Sequence, residues 1–161
     1  MNKNKVVMCV VGVLILLILA FYIKNWDAFS QPQVKSERTA RYISKQDAVD
    51  KAIRDLKELF PGHCLSEWDE TADILTLSIW IDGSQLTAAK AKEGSKSARA
   101  AWESLTDDLT AAGAAWQKAF DEAGHKTMVV MRLLNPNNHE LALASVRRGE
   151  LSYDCVSGLL K

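Results

Sequence analysis

Outside an apolar N-terminal run, the side chains best suited to hold a metal or attack a carbonyl are His63, Cys64, His125, His139 and Cys155. All five fall at or near the ends of expected elements, where ligands could converge. Closed metal sites draw their ligands from pairs such as C-x-x-C or H-x-x-x-H. No two of these residues have that spacing, so the sequence predicts no metal centre and no cofactor. The acidic stretch Asp69-Glu70-Thr71-Ala72-Asp73 gathers three carboxylates. It lacks the central Gly and the later bidentate Glu of a calcium loop, and reads as a solvated hairpin turn. Nucleophilic catalysis needs Ser or Cys beside a His and an orienting carboxylate. No Ser sits in a G-x-S-x-G elbow, and the adjacency of His63 and Cys64 along the chain does not make a dyad. The expectation is a non-catalytic role. The alternative is an envelope enzyme with an unrecognised active site on its sheet.

Aromatic residues offer a different chemistry, that of binding. With a turn over Asp69–Asp73, Trp68 and Trp80 fall on one face of a hairpin together with Ser66, Ile74, Thr76 and Ser78. Leu75, Leu77, Ile79 and Ile81 line the other face and form the better core. Two tryptophans among short polar side chains are a candidate binding site for a protein or an envelope polymer, because large aromatics dominate interface energetics. The competing reading has helix or linker covering that face.

Cys64 and Cys155 are the disulfide candidates. Bonded, they would close a long loop and contribute about 4–5 kcal/mol through chain entropy. Unbonded, they are two separately buried thiols.

The elements that must position these residues follow from periodicity. Ser44 is placed to cap a helix over residues 45–60, with Asp47 near the positive end of its dipole. Val49, Ala52, Ile53, Leu56, Leu59 and Phe60 form the apolar face of that helix, and Pro61-Gly62 ends it. Strands are expected at 64–68 and 74–81, the second closed by Asp82-Gly83. A short helix over 84–92 ends at Gly94. Ser95 or Ser97 caps a long helix reaching Ala123, whose stripe runs Ala98, Trp102, Leu105, Leu109, Ala112, Trp116, Ala119 and Ala123. Trp102 and Trp116 are therefore core residues. Strands at 127–134, 141–147 and 151–156 complete the order α-ββ-αα-βββ. Two meanders split by helices predict an α+β domain: a small antiparallel sheet with helices packed on one face.

Residues 6–23, VVMCVVGVLILLILAFYI, carry no charge. As a helix rising about 1.5 Å per residue they span roughly 27 Å, close to the ~30 Å hydrocarbon thickness of a bilayer. The run exceeds the h-region of a cleaved signal peptide and ends without an A-x-A site. It reads as a retained transmembrane helix, with Tyr22 and Trp26 at the interface. Residues 1–5 make a short basic tail, 24–43 a linker and 44–161 the soluble α+β domain. The basic residues Lys3 and Lys5 abut the run, which favours a cytoplasmic N-terminus and a domain outside.

Across its 161 residues the chain balances 20 basic against 20 acidic side chains. Nucleic acid, which demands a clustered basic surface, is not an expected partner. The sequence therefore reads as a single-pass, membrane-anchored extracytoplasmic domain with a non-catalytic binding or structural role at the cell envelope. Its partners are the lipid bilayer, through residues 6–23, and a protein or envelope polymer.

Overall fold

The computed structural model describes residues 44–160. The apolar run, the linker and their orientation relative to a membrane lie outside the described residues.

Helix α1 spans Lys45–Leu59 and opens where the capping chemistry directs. The Ser44 hydroxyl accepts the Asp47 N–H at 3.1 Å. Its buried side chains, Val49, Ala52 and Leu56, step at helical spacing. Strands β1 (Cys64–Asp69) and β2 (Ile74–Trp80) follow as an antiparallel hairpin. Helix α2 (Ser84–Lys92) and helix α3 (Lys96–Glu122) come next. Ser95 caps α3 by accepting the Ala98 N–H at 3.4 Å. Strands β3 (Met128–Asn135), β4 (Asn138–Arg147), β5 (Glu150–Asp154) and β6 (Leu159–Leu160) close the domain.

The fold is α+β, with one six-stranded sheet in the order β1-β2-β3-β4-β5-β6. One expectation is corrected here. The sheet is mixed rather than wholly antiparallel, because β2 and β3 run parallel, with Leu75 beside Val129 and Leu77 beside Met131. Strands joined by so long a helical excursion can return on the same heading. The crossover through α2 and α3 does so.

Leu75, Leu77 and Ile79 on β2, Val129, Met131 and Leu133 on β3, and Ala144 and Val146 on β4 share one face and are buried. Helix α3 lies against this face. It comes so close at Gly113 that a Cβ there would stand 2.7 Å from Val146 Cγ1. Trp102, Leu109, Trp116 and Phe120 fill the layer between. Each large side chain taken wholly out of water stabilises the domain by about 1.5–3 kcal/mol. Helix α1 covers β1 and β2 on the same side: Cys64, Ser66 and Trp68 are half-buried, whereas Leu65, Glu67 and Asp69 are exposed.

Polar groups fix where the crossover rejoins the sheet. The Gln117 side chain donates to the Thr127 carbonyl at 3.0 Å and accepts the Val129 N–H at 2.9 Å. Met128 N–H donates to the Asp73 carbonyl at 2.9 Å, and the Thr127 hydroxyl donates to the Asp73 carboxylate at 2.8 Å. Lys45 reaches the same carboxylate at 2.8 Å. Asp73 holds a left-handed φ of 57° at the end of the hairpin turn. That turn is the acidic stretch read from sequence as merely solvated. Through Asp73 it joins α1, β2 and β3.

Candidate binding face

The tryptophan pair expected to share a surface is split by the sheet. The hairpin pairs Asp69 with Ile74, leaving a four-residue loop rather than five, so Trp68 stands across from Leu75. A one-residue change of register turns a whole strand over. Trp68 therefore joins the helix-covered face and is half-buried there. Trp80 lies on the opposite face, in line with Ile74, Thr76 and Ser78.

At its end of the sheet Trp80 is not a bare ring. His139 stacks on it with centroids 3.9 Å apart, and His63 lies 5.8 Å away, both at 27°. The Trp80 N–H donates to the His63 carbonyl at 3.1 Å. Two histidines first considered as ligands thus gather around an indole. The third, His125, is buried at the far end of α3, edge-on to Phe120. Among the described residues no three His, Cys, Asp or Glu side chains converge on a metal-sized space.

The face that carries Trp80 bears no described helix. The ladder registers set out its rows. Glu67, Thr76, Val130, Arg147 and Glu150 run across one row, and Leu65, Ser78, Arg132, Ser145 and Tyr153 across the next. Arg132, Arg147, Glu67 and Leu65 are exposed, while Thr76, Ser78, Val130 and Leu134 lie low between them. Exposed Arg beside Tyr and Trp is the composition of an interface centre.

The disulfide expectation is corrected as well. Cys64 and Cys155 are free thiols. Cys64 opens β1 and Cys155 follows β5, four strand positions apart. At about 4.8 Å per strand they are roughly 19 Å apart, far beyond the reach of a disulfide. Burial pushes the Cys64 thiol above its ordinary value, against the pull of Lys57. Burial also raises the Cys155 thiol, opposed by Lys92 and reinforced by Asp154. Neither is held as the thiolate a nucleophile requires.

The most constrained carboxylate is Asp154. Burial pushes it up, yet hydrogen bonds from Ser157, Val156 and Trp102 outweigh that and hold it below the ordinary range. Trp102 Nε1 donates to it at 2.8 Å and Val156 N–H at 2.8 Å. It locks α3 to the end of β5, a structural task that no sequence spacing announced. A hollow of about 430 Å³ is lined, among the described residues, by Asp50, Ile53, Arg54, Lys57 and Glu58, all from α1. It assembles no nucleophile beside a base. Comparison with protein-family models, with curated proteins and with solved structures finds no match to this chain.

Proposed function

We propose that the chain is a membrane-tethered, non-catalytic binding domain that meets its partner with the helix-free face of its sheet. The observation that carries this reading is the segregation of the two faces. One is filled by α1 and α3, whereas the other sets Arg132, Arg147, Glu67, Tyr153 and Trp80 on five adjacent hydrogen-bonded strands. A rigid sheet holding Arg and aromatic side chains at fixed spacing is preorganised for binding, which lowers the ordering cost of association. Tethering rests on the uncharged run 6–23. Among the described residues no helix is long and apolar enough to cross a membrane. The flanking Lys3 and Lys5 support placing the domain outside the cell, at the envelope. The binding surface centres on Trp80, without Trp68.

The test uses the full chain expressed in bacterial cells. A photo-crosslinking amino acid is placed at Arg132 on the helix-free face or at Asp107 on the exposed side of α3. An adduct formed from position 132 and not from 107, in a fraction that resists carbonate extraction, is the expected result. Equal labelling from both positions, or release of the chain by carbonate, refutes the reading.

A further inference from the structure

We infer that β1 is a dimerisation edge, on which a second copy of this chain pairs antiparallel with its two-fold axis at Ser66. The edges of a sheet are normally blunted by Lys, Pro, a bulge or a very short strand. The far edge follows that rule, since β6 is Leu159–Leu160 only. The near edge does not. Strand β1 runs six residues, CLSEWD, with no Pro, no basic residue and an unbroken register to β2.

The hydrogen-bond phase says which groups face outward. Trp80 N–H donates to the His63 carbonyl, so residues 63, 65, 67 and 69 turn their backbone groups toward β2. Cys64, Ser66 and Trp68 turn theirs off the edge, where no described strand meets them. Backbone donors and acceptors in that position recruit another strand.

The register follows from the same phase and from charge. Two-fold pairing in one continuous sheet must set outward residues against outward residues. Ser66 opposite Ser66 pairs Cys64 with Trp68 in both directions and joins all three outward positions. It also sets Leu65 against Glu67, and His63 against Asp69. Sliding by one pair puts Glu67 opposite Glu67, and like charges directly opposed destabilise a ladder. Sliding the other way leaves Trp68 without a partner on β1.

Helix α1 makes the second, independent argument. It climbs beside β1 from Lys45, held at Asp73, to Phe60, which precedes the start of β1. Its midpoint therefore stands over Ser66. Val49, Ala52 and Leu56 face the sheet. About a quarter to a third of a turn away, on the side of the free edge given the right-handed sense of the helix, lie Ile53, Lys57 and Asp50. Placed over β1 and β2, two such helices related by the axis run antiparallel about 10 Å apart, the ordinary packing distance. Ile53 then meets Ile53 near the axis, and Asp50 of each copy meets Lys57 of the other. A surface complementary to itself under a two-fold rotation is what an isologous interface requires.

The experiment uses the full chain in detergent, with Cys9, Cys64 and Cys155 changed to Ala. In this background Ser66→Cys is expected to give a disulfide-linked dimer under mild oxidation, because directly paired residues lie within the roughly 4.4–6.8 Å Cα range of a disulfide. Thr71→Cys, in the hairpin turn, is expected to give no disulfide cross-link under the same conditions. Without cross-linking, sedimentation should show that Asp50→Lys or Lys57→Asp alone weakens the dimer about 3- to 30-fold, as expected for two reversed exposed pairs. The double exchange should restore it. A monomeric full chain at micromolar concentration overturns the inference. So does cross-linking no faster at position 66 than at 71, or a double exchange as weak as its parents.

Discussion

Asp154→Ala should cost the domain about 2–4 kcal/mol, and the reason can be worked out bond by bond. Trp102 is 1% exposed, and its indole N–H has Asp154 as its acceptor at 2.8 Å. Removing the carboxylate strands a buried donor, at about 1–3 kcal/mol. The Val156 and Ser157 N–H groups, bonded to the same carboxylate at 2.8 and 3.2 Å, lie in a turn nearer water. Water can replace those bonds in part, so they add about 0.5–1 kcal/mol together. Asp154→Asn keeps one acceptor oxygen for Trp102 and Val156 but turns an amide toward the Ser157 N–H, and should cost about 1–2 kcal/mol. Urea unfolding of residues 44–161 reads these losses, and proton exchange at Trp102 Nε1 reads the bond itself. The pH dependence carries a sign. The folded-state titration of Asp154 lies below that of an unfolded aspartate. Its contribution is complete above about pH 4 and is lost as pH falls through the lower folded value. The gap between wild type and Asp154→Asn should therefore narrow in acid. A loss below about 1 kcal/mol for Asp154→Ala, with fast indole exchange in the wild type, would refute the reasoning.

Three further outcomes are expected. Gly113→Ala should lose about 1–3 kcal/mol, since its Cβ would stand 2.7 Å from Val146 Cγ1. Adding Val146→Ala should recover part of that loss in a double-mutant cycle by thermal melting. Gln117→Ala should lose about 2–4 kcal/mol in urea by stranding the Thr127 carbonyl and the Val129 N–H. Amide exchange at Val129 should quicken, and an unchanged Val129 rate would count against the bond. Thiol titration of unfolded, unreduced protein prepared under oxidising conditions should find both Cys64 and Cys155 free, and a count lower by two would refute their separation on the sheet.

Elements set by local chemistry were legible in the sequence. Ser44 and Ser95 cap the helices they precede because a hydroxyl at that position satisfies an otherwise orphaned N–H. The apolar stripe of α3 is largely where its spacing puts it, with Trp102, Leu109 and Trp116 buried. The relations between elements were not legible. Strand alternation shows which residues share a face of one strand, but the faces of two strands are matched by the loop between them. A hairpin loop of four residues, where five were expected, separated Trp68 from Trp80 and dissolved the sequence's candidate pair. The heading of β3 depended on the path of the long crossover, which no residue pattern specifies.

The groups that anchor the start of β3 are polar and act across long separations in the chain. Asp69–Asp73 is acidic and rich in turn formers, so composition alone makes it a solvated loop. Asp73 differs from its neighbours in what arrives from far along the chain: Thr127 and Met128 from the start of β3, and Lys45 from the start of α1. Gln117, near the C-terminal end of an amphipathic helix, looks like a polar interruption until its amide is seen joined to Thr127 and Val129. Parallel strands cannot be registered by a tight turn, because none joins them. Here that registering task falls to two polar side chains and a backbone carbonyl at the seam. A sequence reader would find such a seam by asking which buried amide or carboxylate sits one crossover away from a strand start. Hydrophobic periodicity, which ignores polar residues, passes over it.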